Sequence, residues 1–167
     1  MILLEELAEV EFLRGFAPEH VRRLAQAARL KECLAGTVLF REGETCPFVY
    51  LVLRGKVALE MNVPGRMPVL VQTVKAGELL SWSPLLRLGP MTATALTLTR
   101  CRLAVFDAAG LLDMAEHEPR FGMEILRRTA TVIAYRLHAA RLASVESPRE
   151  RVTAPRSAKT LQGQGHP

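Results

Sequence analysis

The chain has 167 residues, 49% apolar and 23% charged, and a formal net charge of +5, proportions that suit one soluble globular domain with an extra element. No apolar run approaches the roughly 18 residues that a bilayer crossing needs, and the N-terminus MILLEELAEV carries acids where a secretory leader carries basic residues. Cys33, Cys46 and Cys101 are far apart and form no CxxC pair, which argues against a zinc site or a disulfide framework and for a reducing cytoplasm.

In chain order, the first third has helical spacing. LLEELAEVEFL places Leu3, Leu4, Leu7 and Val10 on one face, and PEHVRRLAQAARL repeats the pattern at Val21, Leu24, Ala25 and Ala28. Gly15 separates the two segments, and Pro18 suits a first helical turn, where a missing N–H costs nothing. From Gly36 the period changes. GTVLFREGE (36–44), FVYLVLRGKVALEM (48–61), PVLVQTVKAG (68–77) and TATALTLTRCRLAVFD (92–107) are β-branched or aromatic runs punctuated by Gly43, Gly55 and Gly65. Short strands at this spacing, with no crossover helices between them, predict an antiparallel barrel or jelly roll.

Helical patterning returns after Asp107. AAGLLDMAEHEP predicts a short helix ending near Pro119, and FGMEILRRTATVIAYRLHAARLASVES predicts one long helix. Leu126, Ala130, Ile133 and Leu137, continued by Ala140 and Ser144, step by four and three, a narrow stripe of the kind that pairs helices. Two readings stand: the stripe packs on its own chain, or it builds a homodimer. The last residues mix Pro, Ser, Gly and charge without period and read as a disordered basic tail over 144–167. Arg149, Arg151, Arg156 and Lys159 against Glu150 carry about three of the five excess charges. The ordered domain is expected over 1–143.

Taken together these residues resemble the cyclic-nucleotide-binding domain of catabolite-activator-type transcription factors, kinase regulatory subunits and gated channels. The series that carries the likeness is Gly36, Leu39, Phe40, Gly43 and Glu44, then Val49 to Val57, then Gly77-Glu78, Pro90-x-Thr92-Ala93-Thr94 and the long helix. It covers about residues 10–143. The resemblance implies a mainly β jelly roll with flanking helices, in which a phosphate-binding cassette joins two strands. It also implies that Glu78 accepts from a ribose hydroxyl, that Gly77 lets the backbone approach, and that the N–H groups of Leu79, Thr92 and Ala93 face the phosphate.

The sequence departs from the family pattern in the cassette. The family's arginine falls at Met91, whose thioether has no charge and no N–H donor. Losing one charge-assisted hydrogen bond removes about 1.5–3 kcal/mol, or one to two decades of affinity. The segment from Glu78 to Met91 is also several residues longer than the usual cassette and contains Ser81, Trp82, Ser83 and Arg87. Trp82 either plugs the pocket or lines it for another ligand, with Ser81 and Ser83 as donors; in a third arrangement Arg87 swings in to replace the missing charge. The turn that would meet a purine offers only His138, Ala139, Ala140 and Arg141, with Thr129 and Thr131 earlier.

Catalysis is not expected. His20, His117, His138 and His166 form no HExxH or HxH arrangement, no metal site is indicated, and Ser81 and Ser83 lack the GxSxG frame. His117 beside Glu116 and Glu118 reads as a solvated helix face, since adjacent helical residues point apart. The roughly twenty tail residues are too few and too low in complexity for a helix-turn-helix, so specific DNA binding is not expected. Two functions remain: a stand-alone sensor that reads cyclic AMP or another small anionic ligand through its long helix, or a dimeric interaction module, with a partner protein, that binds cyclic AMP weakly or not at all.

Overall fold

A computed structural model of the chain describes residues 4–146, with side chains described through 142. Helix α1 (Leu4–Ala8), a 3-10 turn (Glu11–Leu13) and α2 (Pro18–Ala27) precede the strands β1 (Arg29–Cys33), β2 (Val38–Phe40), β3 (Phe48–Arg54), β4 (Lys56–Met61) and β5 (Val69–Lys75). A second 3-10 turn (Ser83–Leu86) leads to β6 (Thr94–Thr97), β7 (Cys101–Asp107), α3 (Ala108–His117) and α4 (Pro119–Glu146). The strands are antiparallel and form two sheets, ordered β1-β7-β3 and β2-β6-β4-β5. The expected jelly roll is therefore present as two facing sheets with flanking helices, not as a closed barrel.

The predicted runs break where the backbone has to turn. The run 48–61 divides at Gly55, whose φ is +96° and where a Cβ would lie 2.6 Å from both the Arg100 carbonyl oxygen and Cys101 Sγ; only glycine fits. The run 92–107 divides into β6 and β7. β1 was not separable from the helical reading of α2, because RLKEC exposes Lys31 and Glu32 and has no alternation of apolar residues.

Two apolar clusters follow from this layering. One lies between the helices and the β3–β7 face, around Leu7, Leu24, Leu51, Leu79, Phe106 and Phe121. The other fills the roll between the sheets, around Phe40, Tyr50, Val57, Leu80, Met91 and Leu103. Cys33, Cys46 and Cys101 are buried free thiols in this second cluster.

Asp107 caps α3 by accepting from the Gly110 amide at 2.9 Å, and Pro119 ends its run and opens α4. The buried face of α4 is Phe121, Ile125 and Thr129, continued by half-buried Val132 and Arg136. Thr129, fully buried, donates to the Ile125 carbonyl at 2.8 Å, so its hydroxyl is satisfied within the helix. The Leu126–Leu137 stripe lies on a different face: Leu126 is 44% and Leu137 49% exposed, Ala130 is exposed and Ile133 half-buried. The stripe is not the face by which α4 packs on its own chain. Of the tail expected over 144–167, residues 144–146 continue α4, and the rest lies outside the described residues.

Candidate functional site

The turn after β5 is held from two sides. Gly77, with φ +89°, donates to the Val52 carbonyl at 2.8 Å and accepts from the Phe12 amide at 3.0 Å. A Cβ there would lie 3.2 Å from Glu11 Cβ, so the N-terminal 3-10 turn approaches too closely for a larger residue. The next residues run along β3: Val52 donates to the Glu78 carbonyl at 3.0 Å, and Leu80 donates to the Tyr50 carbonyl at 2.8 Å. Leu79 and Leu80 are buried on opposite sides of this segment, one in each apolar cluster.

Ser81 is consumed by structure. Its hydroxyl accepts from the Tyr50 amide at 3.2 Å and donates to the Phe48 carbonyl at 3.0 Å, closing a buried stitch. Trp82 is half-buried, packs against the helix-side cluster and forms part of a cavity wall. Ser83 is buried at the start of the second 3-10 turn. Arg87 ends that turn at φ +52° and faces Glu116 of α3 at 3.8 Å, on a different groove from the one beside Glu78. The structure does not bring Arg87 to the site.

Met91 turns inward. Its amide donates to the Glu44 carbonyl at 2.9 Å and its carbonyl accepts from Gly43 at 2.8 Å. Met91 is 6% exposed and packs within the roll. Thr92 is exposed and Ala93 half-buried at the cavity edge. Glu78 is exposed and accepts from the Lys75 amide at 2.8 Å.

The side chain that sequence reading missed is Arg136 of α4. Its Nη1 donates to the Leu80 carbonyl at 3.1 Å, and its Nη2 donates to the Leu79 carbonyl. Its Nε is buried and has no acceptor among the described residues, an arrangement that costs about 1–3 kcal/mol. Burial pushes the guanidinium down to about 10, against the opposing pull of the Glu78 carboxylate; it remains a cation at neutral pH. Phe121, Ile125, Thr129, Val132 and Arg136 step by four, four, three and four and so share one helix face, but the spacing alone does not say that this face is the one turned to the domain.

Arg136 stands between two spaces. On one side is an open cleft of about 530 Å³ that contains Glu78, Gly77, Gln72, Thr131 and Tyr135. On the other is a cavity of about 280 Å³ that runs into the roll between Phe40, Leu59, Leu80, Trp82 and Met91 and is closed by Ala139 and Ala140 of α4.

The family profile of the cyclic nucleotide-binding domain matches residues 30–118, more than half of the chain. The chain belongs to the cyclic nucleotide-binding domain family. It is 28% identical over 137 residues to the CRP-like cAMP-activated global transcriptional regulator of Mycobacterium tuberculosis, a match over 80% of this chain and 58% of the regulator. The chain thus spans little more than half the length of that relative. Among solved structures it is similar to a cyclic nucleotide-binding domain from Methylobacillus flagellatus, with TM-score 0.76, 22% identity and coverage of 85% and 82% of the two chains. A cyclic nucleotide-binding protein from Geobacter metallireducens matches with TM-score 0.72 and 25% identity over 83% of this chain and all of its own. The regulatory domain of Toxoplasma gondii PKA, solved with cAMP, matches with TM-score 0.67 and 20% identity over 79% of this chain and 48% of its own. The segment that follows β5 packs along β3, and α4 lies behind it, bonded to Leu79 and Leu80 through Arg136.

Among the described residues no group of three or more His, Cys, Asp or Glu side chains is arranged to hold a metal ion, and no helix is long and apolar enough to cross a membrane. His117 sits 2.9 Å from the Asp113 carbonyl on an exposed helix face, and the carbonyl and carboxylate of Asp113 raise its imidazole above the ordinary range.

Proposed function

We propose that this chain is a non-catalytic, cytoplasmic regulatory domain that uses the cyclic-nucleotide-binding fold without tight affinity for cyclic AMP. In this reading it works as a homodimeric sensor or interaction module through α4. The observation that carries the reading is the exchange of charge within the cassette. The position after Pro90 holds a buried methionine, and the guanidinium that bonds the 77–93 backbone, Arg136, comes from α4 and is committed to the Leu79 and Leu80 carbonyls. A nucleotide phosphate would have to compete with those carbonyls for the cation. The cAMP activation of the mycobacterial relative is therefore not carried over.

The dimer is supported by the apolar stripe that α4 leaves exposed, and the sensor by the position of Arg136. A ligand that draws the guanidinium off the cassette, or seats it there, binds two positions of α4 with different affinity and so shifts their balance. The experiment is thermal unfolding with and without 1 mM cyclic AMP or cyclic GMP. With a Kd of about 1 mM or weaker, the stabilisation is at most about 0.4 kcal/mol and the midpoint should move by less than about two or three degrees. A larger rise in the midpoint would overturn the reading.

A further inference from the structure

Cys33 and Cys101 are far apart in sequence, and the fold sets them face to face. They are the last pair of the antiparallel β1–β7 ladder, directly opposite one another, so both side chains point to the same side of the sheet. That side is the interior of the roll: both are free thiols, 6% and 1% exposed, in one apolar cluster. The phase of the ladder fixes their spacing. Val52 turns its amide and carbonyl to Glu78 and Gly77, and Tyr50 its carbonyl to Leu80, which leaves Leu51 to bond with Ala104 of β7. Bonding directions alternate along β7, so Ala104 faces β3 and Cys101, an odd number of positions away, faces β1. Cys33 and Cys101 are thus a hydrogen-bonded pair, with Cα atoms about 5.5 Å apart, inside the roughly 4.4–6.8 Å that a disulfide spans. The Cβ atoms of such a pair stand about 1 Å wider than a disulfide needs. β1 can close that gap, because it is an edge strand paired on one side only.

We propose that Cys33 and Cys101 are a redox-sensitive dithiol, which a hydroperoxide closes into an intrachain disulfide that staples β1 to β7. Cys33 is the point of entry, since it ends the edge strand beside exposed Leu34, and local opening of an edge admits a small oxidant. The Cys33 sulfur attacks hydrogen peroxide, the O–O bond breaks, and a sulfenic acid forms with release of one water. The Cys101 sulfur then displaces the sulfenic oxygen, which leaves as a second water. Two thiols lose two protons and two electrons, and one peroxide takes them up. Burial holds the Cys33 thiol above its ordinary value, so the reaction waits on the opening of β1 and speeds up as pH rises. A disulfide closed across a wide pair is readily reduced again, which suits a transient bond. Cys46 belongs to no ladder with either partner; its Sγ meets the Phe48 carbonyl and the Tyr50 hydroxyl instead.

The full chain, reduced and then freed of reductant, is treated with millimolar hydrogen peroxide and digested with trypsin for mass spectrometry. Cys33 lies in the fragment 32–41, Cys46 in 42–54 and Cys101 in 101–102, so each possible link has its own mass. The expected product joins 32–41 to 101–102 and is lost again on adding dithiothreitol. The linked chain should also melt at a higher temperature than the reduced one, because the bond closes a loop of about 70 residues in the unfolded chain. Cys46→Ser should leave the link in place, and Cys33→Ser should remove it. The mapping of the unmodified chain stands alone if a variant does not fold. A link through Cys46, links only between chains, Cys33 driven to sulfinic acid without a link, or three thiols that all stay reduced would overturn the inference. So would a linked chain that melts below the reduced one.

Discussion

Met91 and Arg136 sit where neither residue type announces: the methionine is buried in the roll, and the guanidinium reaches the Leu79 and Leu80 carbonyls. Methionine at the family's arginine position is not an arginine site left vacant, because its thioether packs within the roll. Met91→Arg should therefore not recover a nucleotide site. It would bury a guanidinium among Phe40, Tyr50 and Leu80, where desolvation outweighs any gain without a partner. We expect a loss of about 3 kcal/mol or more in urea unfolding, and no micromolar heat of binding with cyclic AMP. A stable variant that binds the nucleotide at micromolar concentration would refute this placement of the side chain.

At the scale of elements, α4 has two apolar stripes with different roles. The one through Phe121, Ile125 and Thr129 is buried against the body of the domain. The one through Leu126, Ala130, Ile133 and Leu137 is left largely to solvent by its own chain, which suits a helix that pairs with a second copy. Ile133→Glu should then give monomers in sedimentation velocity while the domain stays folded, because the position is only half-buried within the chain. An unchanged mass would refute the helix pairing. The periodicity showed that a stripe existed, but not which of two neighbouring stripes the domain would bury. That choice depends on the rotation of α4 against α3 and the cassette, and local spacing does not encode it.

Across the whole molecule, the N-terminal helix is tied to strand β7, some hundred residues later. Arg102 of β7 holds Glu6 of α1 through two contacts, at 2.7 and 3.1 Å, and Glu32 of β1 at 2.9 Å. Arg100 and Arg102 hold the Glu32 carboxyl below its ordinary value of 4.5. A lowered folded-state value means that this contribution is present above about pH 4.5 and is lost as pH falls through the lower value. Arg102→Gln should accordingly lower the thermal midpoint at pH 7, with the deficit shrinking as pH falls below the ordinary 4.5 and the Glu32 carboxylate protonates. A deficit independent of pH would show that packing of the Arg102 stem, not the charge network, holds α1 in place.

The two-sheet roll and its flanking helices were legible in the residues themselves, because period-two runs and glycines at positive φ are local features. Strand β1 was not, because an edge strand exposing Lys31 and Glu32 has no apolar alternation to read. The occupant of the cassette was not legible either. Arg87 was close in sequence and a plausible cation, yet the turn ending at its positive φ directs it to Glu116, while a helix some fifty residues later supplies Arg136. Spacing along a chain determines periodicity and turns; which charge reaches a cleft is decided by how separate elements pack, since only packing sets the distance and the dielectric that such a charge meets.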